Sequence, residues 1–326
     1  MKSGIALRDG EANLRRRMNK LFAGLLVGSL VFLLAGGARA AEAHIIVDDK
    51  TGHILEASGA NEKRQIGSLT KVATAAVVLD MVGLKKIDLN EIVTIPEVAM
   101  RAGGANPVGF QAGDAISLRD LIYCALLASD NIAATAIANH AGSRLPNPEG
   151  LSPVGNFVAH MNALARGLGM KRTLFLNPTG LDNYTDQTPP YSTAADMARL
   201  TRYAYSEADF PFYVSQQSRI VHVFRGGQDL GITVNNTNQL LDQDGIDGVK
   251  TGRTNRAGDC IILSAERDPE VRRDGQTTYV TRRRIHVVVL GSTDRVAEGR
   301  ALTQRGWSLY SAWASEGRKT NRSKAL

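Results

Sequence analysis

The sequence has little of what would place it in several common classes. Two cysteines in 326 residues are too few for a small fold stapled by disulfides. The six histidines, at 44, 53, 140, 160, 222 and 286, show no His-x-x-x-His and no His/Cys ligand spacing, so a metal hydrolase has no support and no metal or cofactor is implied. Aromatic residues make up 6%, and the basic C-terminal end lacks the regular aromatic interleaving of a nucleic-acid stacking surface. The apolar run from Leu21 to about Ala35 is too short and too glycine-rich for a transmembrane helix. No cysteine follows it, which argues against a lipidated N-terminus. There is no internal repeat and no low-complexity linker.

What the sequence does have is apolar content and unevenly placed charge. At 43% hydrophobic the chain is not disordered, and its length supplies a sizeable core in one large domain or two ordinary ones. The formal net charge of +7 invites a nucleic-acid reading until the charge is located. Residues 1–40 hold seven basic and two acidic residues. There the basic run Arg15 to Lys20, the apolar run and the small residues Ala38-Arg39-Ala40 compose a secretory signal, with cleavage after Ala40 or at Ala41-Glu42-Ala43. Met18 is an alternative start, and an uncleaved anchor is the alternative fate. Residues 41–244 carry 16 basic and 21 acidic residues, whereas 245–326 carry 16 basic and 9 acidic. The basic end, with Arg272-Arg273 and Arg282-Arg283-Arg284, reads as a solvated loop face.

Periodicity separates the chain into strands at both ends and helices between. His44 to Asp48 and His53 to Ala57 flank the turn residues Asp49 to Gly52 and predict a hairpin. Helices are expected from Leu69 to Val82, Leu118 to Ala128, Ile132 to His140, over 155–168 and over 193–206, the last capped by Ser192. Residues 83–117 are mixed, and Gly142 to Pro153 is a loop. Strands are expected at Ile220 to Phe224, Ile232 to Val234, Val249 to Thr251, Cys260 to Ala265 and Ile285 to Leu290. A closing helix over Ser292 to Ser315 should pack on a sheet built from N- and C-terminal strands. Cys124 and Cys260 lie in apolar stretches and read as buried thiols; a disulfide between them depends on their Cβ separation.

Three short motifs carry the chemistry. Ser68-Leu69-Thr70-Lys71 puts a hydroxyl and an amine on one helix face, at a helix start whose unpaired N–H groups favour a developing oxyanion. A lysine serves as base to such a serine where burial or nearby charge lowers its pKa. Ser129-Asp130-Asn131 falls between two helices; it is either a helix cap or a turn that sends Ser129 and Asn131 into one cleft. Lys-Thr-Gly occurs twice. Lys50-Thr51-Gly52 fits a hairpin turn, while Lys250-Thr251-Gly252 reads as a strand whose glycine permits close approach of a ligand.

The ordered set S-x-x-K, S-x-N and K-T-G is the signature of penicillin-binding proteins and class A β-lactamases. The stretch HIIVDDKTGHILEASGANEKRQIGSLTK resembles the mature start of low-molecular-mass penicillin-binding proteins of the D-alanyl-D-alanine carboxypeptidase/endopeptidase family. SLRDLIYCALLASDNIAATAIANHAG, LFLNPTGLDN and IDGVKTGRTNRAGDCIILSAER resemble later blocks, so the likeness runs from about residue 44 to 315. It implies an α/β (α+β), β-lactamase/transpeptidase-like domain over 44–317, an antiparallel sheet flanked by helices with a helical subdomain, then a basic disordered tail over 318–326. It also implies attack on D-Ala-D-Ala peptides of peptidoglycan stems through an acyl-enzyme, in the periplasm or another extracytoplasmic space. Ser68 would be the nucleophile, Lys71 its base and Ser129 a proton relay to the leaving amine. Asn131 would orient substrate and Lys71. Lys250, Thr251 and Gly252 would hold the substrate carboxylate end, and the backbone N–H groups of Ser68 and Arg253 would form the oxyanion hole. β-Lactams would acylate Ser68. No nucleic acid is implied as a partner, and no stable transmembrane anchor after signal cleavage.

Two departures bear on that reading. Asp130 stands where carboxypeptidases of this type usually carry Gly, as in class A β-lactamases. Those enzymes need a Glu some 35 residues further on, and Asn162 to Met170 contains no acid. The larger family members add a β-rich domain and an amphipathic helix, whereas this sequence stops shortly after its closing helix. AGDCIIL and the short C-terminus look somewhat like the endopeptidase branch, which uses the same residues. The five arginines of the basic end are a candidate contact for anionic wall polymers.

Overall fold

The computed structural model describes residues 41–182, 189–207 and 209–326; the expected signal segment, 1–40, lies outside them. In chain order the strands are β1 (Ala43–Asp48), β2 (Ile54–Ser58), β3 (Ile92–Thr94), β4 (Ala115–Ser117), β5 (Ser218–Arg225), β6 (Gln228–Asn235), β7 (Ile246–Thr254), β8 (Gly258–Asp274) and β9 (Thr277–Ser292). The helices are α1 (Lys71–Gly83), α2 (Glu97–Ala102), α3 (Leu118–Leu126), α4 (Asn131–Gly142), α5 (Pro153–Gly167), α6 (Ala194–Ser206), α7 (Phe210–Val214) and α8 (Arg295–Ser315).

Strands from early and late in the described residues meet in one antiparallel sheet, ordered β2-β1-β9-β8-β7. Its central strands read as unbroken apolar runs because both faces are covered. One set of side chains (Ile46, Ile261, Leu263, Val287, Val289) packs against Trp307, Tyr310 and Trp313 of α8. The alternate set (Ile45, Val47, Ile262, Val288, Leu290) faces the helical core. Gly306 lets α8 lie close: a Cβ there would come within 2.8 Å of Ile285 and 2.9 Å of Ile46. The helical core surrounds α1, which is buried on nearly every side, as expected of a helix apolar all round.

Four features depart from the sequence reading. The strands at 218–235 do not join the main sheet; β5 and β6 form a second sheet with β3 and β4, ordered β3-β4-β5-β6. The cap of α6 is Thr193, whose hydroxyl accepts the Asp196 N–H, rather than Ser192. β8 and β9 run well past their expected ends to the turn at Gly275, and this outer part is exposed on both faces. Without a buried face it has no apolar alternation to read. The tail expected to be disordered instead forms a short 3-10 turn, Arg322–Lys324. Ala325 bridges to His53, and the Leu326 N–H donates to the Gly52 carbonyl at 3.1 Å. Backbone bonds, the Arg318–Glu270 ion pair and packing of Leu326 on the core hold it, and composition does not register these. The arginines of the basic end are also not equivalent: Arg284 is buried against Asp247 and Glu266 and has no free face for a polymer.

Candidate active site

The site forms where the helical core meets the edge of the main sheet. Gly67–Thr70 is a 3-10 turn that runs into α1, so Ser68 sits in the turn and Lys71 is the first residue of the helix. β7 is the edge strand, which leaves one row of its backbone N–H and C=O groups unpaired by the sheet. The turn and this edge are in tight contact. A Cβ on Gly252 would lie 2.8 Å from the Ile66 carbonyl oxygen and 3.2 Å from the Ser68 nitrogen. A Cβ on Gly67 would lie 3.2 Å from the Arg253 nitrogen. Glycine at both positions therefore lets the Ser68 turn and the Arg253 backbone lie close together, as an oxyanion hole made of their N–H groups would require.

Lys71 is fully buried. Its Nζ donates to Ser68 Oγ at 3.0 Å, to Asn131 Oδ1 at 2.7 Å and to the Thr179 carbonyl at 3.0 Å. Burial pushes its pKa down to about 7, against a smaller upward pull from Asp130. A neutral amine is thus accessible near neutral pH, beside the hydroxyl it would deprotonate. Asn131 opens α4, and its N–H donates to the Ala105 carbonyl at 2.9 Å.

The cap reading of Ser129-Asp130-Asn131 holds for Asp130, and a turn does precede α4. Ser129 has φ +60°, a left-handed conformation that breaks helical geometry between α3 and α4, as a turn sending residues two apart into one cleft would require. Asp130 is the cap of α4: Oδ1 accepts from Ala133 N–H at 2.9 Å and Oδ2 from Val108 N–H at 3.3 Å. Burial pushes its carboxyl up to about 6, with those N–H donors and Lys71 pulling the other way.

Lys250 is 1% exposed, and its Nζ donates to the Thr251 carbonyl at 3.1 Å. Burial, then the charges of Lys71 and Arg295, hold its pKa well below the usual lysine range. An arriving carboxylate would favour its charged form. Thr251 shares a hydroxyl hydrogen bond of 2.7 Å with Thr237. Arg295, at the start of α8, donates from Nη1 to the Gly252 carbonyl at 3.2 Å.

The structure therefore unites Ser68, Lys71, Asn131, Lys250, Thr251, Gly252 and the Arg253 backbone, with Ser129 on the turn that carries Asn131. Thr179, Thr237 and Arg295 were missed. Thr179 acts through its carbonyl, which no residue type announces. It lies in the LFLNPTGLDN block, where Gly180 (φ +82°) passes so close to the Ser68 turn that a Cβ would meet the Gly67 carbonyl oxygen at 1.9 Å. Both cysteines are buried and free, and burial raises both thiol pKa values, Cys260 to about 11. Among the described residues no group of three or more His, Cys, Asp or Glu is placed to hold a metal. No described helix is long and apolar enough to cross a membrane.

Comparison with known proteins agrees with this arrangement. The profile of the D-alanyl-D-alanine carboxypeptidase family matches residues 35–273. The chain is 28% identical to the D-alanyl-D-alanine carboxypeptidase DacF of Bacillus subtilis, over 77% of this chain and 64% of that protein. It is 34% identical to a D-alanyl-D-alanine endopeptidase of Pseudomonas aeruginosa, over 67% and 65%. It thus spans just under two thirds of the length of these relatives. Among solved structures, a Streptomyces DD-transpeptidase superposes with a TM-score of 0.70 at 27% identity, covering 82% of this chain and 97% of that one.

Proposed function

The chain belongs to the D-alanyl-D-alanine carboxypeptidase family, and from that premise we propose that it is a serine D-Ala-D-Ala carboxypeptidase acting on peptidoglycan stem peptides. The observation that carries this reading is the buried Lys71 amine, its pKa near 7, hydrogen-bonded to Ser68. Neutral Lys71 takes the Ser68 proton as Oγ bonds to the carbonyl carbon of the D-Ala-D-Ala amide. The oxyanion is held by the Ser68 and Arg253 N–H groups. The C–N bond then breaks, with Ser129 relaying a proton to the leaving amine. Water hydrolyses the ester and Ser68 regains its proton. Asn131 positions the Lys71 amine, and Lys250 with Thr251 receives the terminal carboxylate beside Arg295. β-Lactams, which offer a similar strained amide, would acylate the same oxygen. Export, directed by residues 1–40, would bring the enzyme to its substrate.

Labelled penicillin tests the core of this reading. It should attach to the wild type and not to Ser68→Ala, and equal labelling of the two proteins would sink it. A β-lactamase would instead turn over a chromogenic β-lactam catalytically. The cap role of Asp130 accounts for that residue without β-lactamase chemistry, and the only Glu between Asn131 and Tyr205, Glu149, is exposed on the loop before α5. A second activity, endopeptidase cleavage of cross-links, has support in the 34% identity to an endopeptidase. Mass analysis of purified muropeptides after incubation separates D-Ala release from cross-link cleavage.

A further inference from the structure

The K-T-G edge carries more positive charge than one terminal carboxylate requires. Thr251 and Arg253 are two apart on β7 and share a face. Arg295, from the start of α8, reaches this stretch and bonds the Gly252 carbonyl. Asp259, paired with Arg253 in the register of β7 and β8, is shared between the two guanidinium groups. It stands 3.3 Å from Arg295 Nη1 and 3.6 Å from Arg253 Nε. Both distances exceed the 2.7–2.9 Å typical of a tight charge-assisted hydrogen bond. The Arg253 side chain is 76% exposed, while its backbone nitrogen lies beside the Ser68 turn. Two guanidinium groups thus share one carboxylate, Asp259. An α-carboxylate received by Lys250 leaves the excess guanidinium charge unmatched, and a second anionic group would offset it.

Resting on the DD-peptidase reading above, we propose that Arg253 is a specificity residue that favours a leaving group bearing a second carboxylate beyond its α-carboxylate. Such a group is an acidic residue, or an acidic peptide strand released from a cross-link, rather than a single neutral residue. The reaction is unchanged: the Ser68 Oγ–C bond forms, the amide C–N bond breaks and the amine leaves with its proton. Arg253 acts on the leaving side, where its guanidinium meets the extra carboxylate with the planar fork suited to it.

The test uses two N-acylated peptides differing only in charge, one ending D-Ala-D-Glu and one ending D-Ala-D-Gln. The ratio of their kcat/KM values is measured on one protein at a time, so a general loss of activity cancels. Wild type should favour the D-Glu peptide by about fivefold, and the ratio should shrink with added salt. Arg253→Gln should bring it to about one, and Arg253→Lys should restore part of it. A wild-type ratio near one, or a ratio unchanged by Arg253→Gln, overturns the proposal. If no peptide is hydrolysed, D-Ala-D-Ala included, and Ser68 takes no penicillin label, the underlying reading has failed and this one with it.

Discussion

The same tripeptide occurs twice in this chain, at Lys50-Thr51-Gly52 and at Lys250-Thr251-Gly252, and the two copies have almost nothing else in common. The first is a turn. Lys50 and Thr51 are exposed, and Asp48 Oδ2 accepts both the N–H and the hydroxyl of Thr51 at 2.7 and 2.6 Å. Gly52 supplies a φ of +70°. Its carbonyl and that of Lys50 are taken by Leu326 and Arg202. The second is a strand at a sheet edge. Lys250 and Thr251 are buried, the glycine is needed for closeness rather than for φ, and the outer backbone row faces the Ser68 turn. Side-chain chemistry is identical, so the difference lies in desolvation and in which backbone groups remain unspent. A buried lysine with a displaced pKa is poised to receive an anion, whereas an exposed one stays hydrated.

The largest expected contrast comes from the two glycines. Gly252→Ala should force β7 away from the Ile66 carbonyl and separate the two oxyanion donors, lowering the rate of penicillin acylation by about a hundredfold or more. Gly52→Ala should leave that rate unchanged. It should instead destabilise the fold by about 1 kcal/mol, through the left-handed φ and the nearby Arg202 guanidinium. Acylation time courses beside thermal melts check both, and equal loss of acylation in the two variants would erase the distinction. The lysines come next. Lys250→Met removes a charged partner of the substrate carboxylate and should raise KM for a D-Ala-D-Ala peptide roughly tenfold. Lys50→Met should leave KM where it was.

The comparison also shows where a sequence is legible. Chain order and strand context separated the two tripeptides, and helical spacing placed Ser68 beside Lys71, because periodicity and local turn chemistry decide such matters. The sheet made from early and late strands and the closing helix were readable for the same reason, since their apolar runs record burial directly. What escaped depended on partners distant in sequence. Thr179 contributes a carbonyl from 108 residues away, and Thr237 meets Thr251 from a different segment. Pairing of β5 with β4 rather than with the main sheet left no mark in either strand. The outer parts of β8 and β9 bury no face, so no pattern betrayed them, and the tail is ordered by contacts with segments distant in sequence, such as Arg318 with Glu270 and Leu326 with Gly52.

Asp130 gives the finest division between a structural and a chemical role. Two of its contacts are to backbone N–H groups, yet its charge also raises the Lys71 pKa against the lowering effect of burial. If neutral Lys71 is the base, acylation should rise with pH through about 7 and level off above it, as the protonated fraction disappears. Asn at 130 keeps an oxygen for the Ala133 N–H and is as good a helix cap as Asp, so α4 should survive. It removes the negative charge, so Lys71 should lose its proton more readily and the rising limb should move to lower pH. In the wild type Asp130 itself takes up a proton at about 6, close enough for the two titrations to couple. The wild-type limb should therefore be broader than a single titration, and that of Asp130→Asn should sharpen to one proton. A variant that melts like the wild type with an unmoved midpoint would reduce Asp130 to a helix cap. A midpoint displaced toward higher pH would contradict the sign of the interaction, and with it the assignment of Lys71 as the base.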